Sequence, residues 1–319
     1  NVVGEIRSRN REFRDEYIVI GAHFDHIGMG GPGSGSRKPE ADQIHPGADD
    51  NASGTSGLLE LAQKLSANVG HLKRSVLLVA FDAEEKGLLG SKHFIKSSPV
   101  DIKNITTMIN MDMIGRMSDS SYTVGGVGTS PYFEHLLDSL KRGRFFNLIM
   151  NKPGFGPSDH AAFYSENIPV LFFFSGFHDE YHTPDDTWQL INLKGEKYIL
   201  DFIYDLVFHL ARAPEKPVFQ EAGPKQGQMG SPRKFNVTFG IMPSYGSTKI
   251  GLEIDAISKE DGPAAVAGMK KGDVIKSINN KPIKDIYEYM DRLGDIKPGM
   301  TVPVLIERKE KEITIEVTF

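Results

Sequence analysis

Residues 76–91 read VLLVAFDAEEKGLLGS. The run from Val76 to Phe81 is apolar throughout, and it ends in two adjacent carboxylates, Glu84 and Glu85, before a helix-like segment. A continuous apolar run of this length is a strand buried on both faces, which is the signature of a parallel sheet covered by helices. Taken alone, the two acids fit a solvated turn ahead of a helix N-terminus, where negative charge is electrostatically favoured. The rest of the chain decides between that reading and a chemical one.

Outward from this stretch the same alternation repeats. EYIVIGAHFD (16–25), ITTMINMDMIG (105–115) and IPVLFFFSG (168–176) are further strand-like runs. Between and after them, ASGTSGLLELAQKLSAN (52–68), GLLGSKHFIKS (87–97), SPYFEHLLDSLKRG (130–143) and LKGEKYILDFIYDLVFHLARA (193–213) carry apolar residues at helical spacing. The pattern predicts an α/β fold: a mixed, mostly parallel central sheet with helices on both faces, spanning residues 1–213. In such sheets ligands gather at the carboxyl ends of the strands.

Residues 214–234, PEKPVFQEAGPKQGQMGSPRK, lose all periodicity and predict a linker. Residues 235–319 follow as a small, mainly β module. Its strand candidates are KFNVTFGIM (from 234), GLEIDAI, DVIKSINN, TVPVLIERK and EITIEVTF, with one short helix, IYEYMDRLG.

Bulk composition narrows the class. With 319 residues, 39% hydrophobic and 25% charged, the chain is ordinary for a globular protein of one large or two smaller domains. A net charge of −5 without a basic stripe argues against nucleic acid as partner. No apolar run reaches the length of a membrane span. The absence of cysteine excludes disulfides, thiolate metal sites and cysteine nucleophiles. The chain opens NVVGEIRSRN, with neither an initiator Met nor a signal-like segment, and so reads as a processed or trimmed form.

Five short motifs fall at or just past predicted strand ends or before a helix: GAHFDH (His23, Asp25), GADDNASG (Asp49, Asp50), the pair Glu84 and Glu85, INMDMIGR (Asp112) and DEYHTPDDT (His182). Each alone has a plainer reading, as a turn, an N-cap or a satisfied strand-end acid. Together, two imidazoles and several carboxylates form a nitrogen and oxygen donor set that suits zinc, and less well cobalt or manganese. Asp25, two residues from His23, is placed to accept the second ring N–H of that histidine. Five donors serve two metals only if one carboxylate bridges them, and two metals about 3.5 Å apart activate a water between them. A free carboxylate is then needed to take the water's proton. Adjacent acids provide one ligand and one base. The remaining histidines near the motifs, His26, His45 and His178, read as supporting or solvated residues.

In order and content, GAHFDH, GADDNASG, AEEKGLLGS, NMDMIGR and YHTPDDT resemble the two-zinc aminopeptidase family of secreted leucine aminopeptidases, related to glutamate carboxypeptidase and glutaminyl cyclase. The resemblance implies His23 and Asp112 on one zinc, Glu85 and His182 on the other, and Asp49 bridging. It also implies Glu84 as general base, Asp25 as the partner of His23, and Tyr181 as oxyanion stabiliser. A non-proline cis peptide is implied at Asp49–Asp50. Peptides with a free N-terminus are the implied substrates, and a secreted, periplasmic or cell-envelope location is implied too. GFGPSDHAAFY (154–164) is expected to help form the specificity pocket, with Phe155, Phe163 and Tyr164 lining it.

In the second module GPAAVAGMKKGDVIKSINNKPI (262–283) resembles a PDZ domain of the bacterial protease type. That resemblance implies a peptide or protein C-terminus as ligand, held by the loop and edge strand at Phe239, Gly240 and Ile241. The alternatives are a glutaminyl cyclase, a carboxypeptidase-type relative, and a non-catalytic peptide-binding scaffold. The short interval between Asp112 and His182 leaves no room for the dimerisation insert of the related deacylases.

Overall fold

A computed structural model describes residues 1–40, 42–225, 237–244, 249–259 and 261–319. The described chain divides into two compact units, one of residues 1–176 and 180–225, the other of 177–179 and 237–319.

The first unit runs β1 (Val2–Ile6), β2 (Tyr17–His23), α1 (Gly54–Ala67), β3 (Ser75–Phe81), α2 (Leu89–Lys96), β4 (Ile105–Met111), β5 (Ser121–Gly125), α3 (Phe133–Lys141), β6 (Asn147–Met150), α4 (His160–Ser165), β7 (Val170–Phe174) and α5 (Leu193–Arg212). Its seven strands form one sheet in the order β1-β3-β2-β4-β7-β5-β6. The four strands expected from sequence, β2, β3, β4 and β7, lie side by side at its centre and are mutually parallel. They are buried along their length because both faces are covered. Ile18, Ile20, Val76, Leu78, Ile109 and Leu171 point to one face. There they meet Leu58 and Leu61 of α1, Phe133 and Leu137 of α3, and Phe202 and Leu206 of α5. Val19, Leu77, Val79, Met108 and Val170 point to the other face, against Phe94 of α2 and Phe163 of α4. This period-two division is what a doubly covered sheet requires.

Three further strands were not visible in the sequence. β1 is an exposed edge strand, antiparallel to β3. β5 runs antiparallel to β7 and carries β6 outward. Their stretches are short, and β5 sits among Ser and Gly that resemble a loop. Residues 214–225, within the expected linker, lie against this unit: Gln220 N–H donates to Thr129 C=O at 2.8 Å, and Tyr164 Oη–H donates to Gly223 C=O at 2.5 Å. Residues 226–234 of that stretch lie outside the described residues.

The second unit runs β8 (Ile241–Pro243), β9 (Leu252–Ile257), α6 (Pro263–Val266), β10 (Val274–Ile278), β11 (Lys281–Pro282), α7 (Ile286–Gly294), β12 (Thr301–Arg308) and β13 (Lys311–Thr318). It is an antiparallel sheet, β13-β12-β10-β9-β8, with β11 on β10. Lys309 and Glu310 both have positive φ, 51° and 62°, and close β12 onto β13 in a two-residue turn matched to strand twist. Buried Asp273 takes both Nε and Nη2 of Arg308, at 2.7 and 2.6 Å, which pins the glycine turn before β10 to β12. Its own core gathers Phe239, Leu252, Ile275, Leu293 and Val304.

Candidate metal centre

Because β2, β3, β4 and β7 are parallel neighbours, their carboxyl ends share one edge of the sheet. His23 is the last residue of β2, Asp112 follows β4, and Glu84 and Glu85 lie in the turn after β3. His182 lies beyond β7. Asp50 comes from the segment that leads into α1. That segment is not regular helix, since Asp50 (φ −106°, ψ 89°) and Asn51 (φ −135°, ψ 43°) leave helical geometry. Asn51 anchors it: its Nδ2 donates to Met111 C=O at 3.0 Å, and its Oδ1 accepts Gly54 N–H at 3.0 Å and Met113 N–H at 3.2 Å. Gly54 is required at this contact, because a Cβ there would lie 2.6 Å from Met111 O. Buried Asp186 completes the support by accepting the N–H groups of Asp49 (3.0 Å) and Asp50 (3.2 Å).

The side chains meet in two clusters that share one residue: His23, Asp50 and Asp112, and His26, Asp50, Glu85 and His182. Asp50 divides its oxygens between them. Oδ1 is 3.3 Å from His23 Nε2, and Oδ2 is 3.0 Å from His182 Nε2. His23 Nε2 is also 3.3 Å from Asp112 Oδ1, and His182 Nε2 is 3.2 Å from Glu85 Oε2. Zinc donors at their usual bond lengths stand about 3.3 Å apart around a tetrahedron. The donor types and spacings therefore fit zinc in both clusters.

The tautomers are set from outside. His23 Nδ1–H donates to Asp25 C=O at 3.1 Å, and His182 Nδ1–H donates to Gly35 C=O at 3.0 Å. Each Nε2 is thereby left with its lone pair toward the centre. The His182 bond is returned, since Arg37 N–H donates to His182 C=O at 2.9 Å. Gly35 and Arg37 belong to the glycine-rich stretch after β2, which is closed by His45 N–H on Gly28 C=O at 2.8 Å.

The electrostatics are those of a site built for positive charge. Burial works against protonating His23, yet the carboxylates of Asp112 and Asp50 outweigh it and hold its pKa well above the usual value. Burial likewise opposes His182, but Asp50 and Glu85 push it up to about 10. Glu84 behaves oppositely. Burial raises it to about 9, against the pull of His23 and with help from Asp112, Asp159 and Glu85. Tyr181 stacks on His182, with ring centroids 3.9 Å apart, and burial beside the same carboxylates holds its hydroxyl protonated.

Several expectations need correction. Asp49 is not the shared acid. It is fully buried, with its Oδ1 turned to Gly115 N–H at 2.7 Å, and Asp50 takes the central place. The cis peptide is accordingly Asp50–Asn51, one bond later than expected. Asp25 does not partner His23 through its carboxylate, which is 3.7 Å from Nδ1. It accepts the N–H groups of Glu84 (3.0 Å) and Glu85 (3.2 Å) instead, while its backbone carbonyl serves His23. Phe163 and Tyr164 are core residues beneath the sheet, and only partly buried Phe155 stays near the surface. His26, read as supporting or solvated, stands within the second cluster. Asp186 and Asp159 lie in the quoted motifs DEYHTPDDT and GFGPSDHAAFY without a residue pattern that marks their roles. Asp159 is fully buried, and burial raises it to about 7. In the second unit Phe239 is a core residue against Tyr289 and Phe319, its C=O accepting Ala264 N–H at 2.9 Å. Gly240 (φ 72°) leads into β8, which Ile241 begins and which is an edge strand of that sheet.

An α/β sheet with a two-cluster histidine and carboxylate centre at its carboxyl edge defines the class, and comparison with known proteins agrees. Residues 1–207 match the model of peptidase family M28, and residues 251–319 match that of the PDZ domain. The chain belongs to peptidase family M28 and carries a PDZ domain after it. It is 27% identical over 228 residues to Aminopeptidase YwaD of Bacillus subtilis, covering 68% of this chain and 46% of that protein. BSAP, a zinc aminopeptidase from Bacillus subtilis, is similar in structure (TM-score 0.54, 26% identity), over 69% of this chain and 53% of that one. Serine endoprotease DegS of Escherichia coli shares 41% identity over 68 residues, 21% of this chain and 19% of that protein. The chain thus spans about half the length of the aminopeptidases it matches. Among the described residues no helix is long and apolar enough to cross a membrane.

Proposed function

We propose that the chain is a zinc-dependent aminopeptidase that removes N-terminal residues from peptides. The observation that carries this is Asp50, whose two carboxylate oxygens face two separate histidine-containing clusters beside a carboxyl group, Glu84, that belongs to neither. One zinc is assigned to His23 and Asp112, one to Glu85 and His182, with Asp50 between; cobalt or manganese fit the same donors less well. Zinc held there would supply Lewis acidity to a peptide carbonyl and would lower the pKa of a bound water, making it easier to deprotonate to the nucleophile. Glu84 takes that water's proton and returns it to the leaving amine. Adjacent positive charge lowers a carboxyl pKa, so cations beside Glu84 bring it from about 9 toward the working range. Tyr181, kept protonated, donates to the developing oxyanion. Asp25 holds the backbone of the acid pair so that Glu85 and Glu84 keep separate tasks.

The PDZ domain is proposed to take a peptide or protein C-terminus along β8, from the loop at Phe239, Gly240 and Ile241. Pro243 has no N–H, so a strand added there pairs over a short length. A secreted or envelope location accords with the resemblance.

The test is hydrolysis of free and N-acetylated aminoacyl substrates by the zinc-loaded protein, with Glu84→Gln in parallel. Free substrates are cleaved, and Glu84→Gln loses on the order of 10³-fold in kcat while keeping its zinc. Cleavage confined to acetylated substrates rules the aminopeptidase reading out.

A further inference from the structure

His26 has no task in the scheme above, yet it is built into the centre. Its side chain is only 10% exposed; Nε2 has no hydrogen-bond partner, and Nδ1 faces the carboxylates of the centre. Its Nδ1 stands 2.9 Å from Glu85 Oε1 and 3.9 Å from Asp50 Oδ2, and its ring meets that of His182 edge-on at 5.5 Å. The ring is seated against Gly47, where a Cβ would lie 2.6 Å from His26 Cγ. The two Nδ1 distances, 2.9 and 3.9 Å, bracket the edge of a zinc tetrahedron, about 3.3 Å.

We infer that His26 is a fourth protein donor to the cation held by Glu85, His182 and Asp50, which makes the two positions unequal. The inference rests on the two-cation reading. The position of His26, Asp50, Glu85 and His182 then has four protein donors, the number of a closed zinc site. The position of His23, Asp50 and Asp112 has three, the number that leaves a place for water or substrate. The four-donor position fills first and holds its cation more tightly. The exchangeable coordination place belongs to the three-donor position.

The experiment is titration of zinc into the metal-free full chain against a chromophoric chelator, with X-ray absorption at one equivalent. The native protein should bind two zincs, the first at least about 10-fold more tightly, and show two imidazoles on it. His26→Phe should weaken the first site about 10–100-fold, show one imidazole, and leave the second site as it was. Asp112→Asn should remove the weak class and keep the tight one. Thermal unfolding of the metal-free variants, expected to match the native protein, separates donor loss from misfolding. An unchanged imidazole count and affinity in His26→Phe overturns the inference and leaves the two-zinc reading standing. Loss of the tight class in Asp112→Asn overturns the order of filling. A native protein that binds fewer than two zincs brings down the two-zinc reading itself.

Discussion

Asp25 Oδ1 accepts the backbone N–H of Glu84 at 3.0 Å, a bond between the turn after β2 and the turn after β3. With Oδ2 on Glu85 N–H at 3.2 Å, one carboxylate holds both acids by their main chain. Removing it frees the pair to rotate without removing either side chain. Asp25→Ala is therefore expected to lower kcat by about 10–100-fold and to weaken zinc by a similar factor. KM should stay near its native value. Steady-state kinetics with a zinc titration checks this; an effect on KM alone would assign Asp25 to substrate binding.

Asp49 and Asp50 are chemically identical neighbours with different surroundings, so their variants should part company. Asp50→Ala is expected to reduce bound zinc below two per chain and to lower hydrolysis with it. Asp49→Ala strands the Gly115 N–H in a buried place, which costs about 1–3 kcal/mol of stability, while two zincs remain. Metal analysis and thermal unfolding of the two variants distinguish them. Equal zinc loss in both would put the shared acid in doubt.

Glu196 on α5 gives a pH-dependent prediction. Burial raises its carboxyl to about 7, with Asp49 and Glu60 adding and Ser56 opposing. In the unfolded chain it ionises near the ordinary value of about 4.3. Between those two points the folded state holds the proton that the unfolded state has lost, so stability falls as pH rises through this window. Below the window the contribution is intact, and above about 7 the loss is complete. Glu196→Gln keeps an acceptor for Ser56 Oγ, now at 3.3 Å, and cannot ionise. It should match the native protein at pH 4.5 and exceed it at pH 8 by roughly 1–3 kcal/mol. Denaturant unfolding at the two pH values measures the difference; a pH-independent gap would mean Glu196 titrates normally.

Much of this arrangement is legible in the sequence because burial on both faces demands it. Tyr17–His23, Val76–Phe81, Ile105–Met111 and Val170–Phe174 read as central strands by their short apolar runs between turn signals, and their ends bring the acids and histidines toward one edge. What escapes is local direction. Nothing in GADDNASG tells which aspartate faces inward, because the choice is made by the non-helical turn at Asp50 and Asn51 and by Asp186, far off in sequence. His26 looks solvated until Gly47 is brought against its ring. Phe163 and Tyr164 look like pocket residues until the short helix α4 is set against the far face of the sheet.

The reciprocal bonds between His182 and the Gly35–Arg37 backbone tie the centre to a surface loop. Coupling of this kind runs both ways. A cation held through His182 would steady residues 35–37 by these two bonds, and loosening them would weaken the hold on the cation by the same amount.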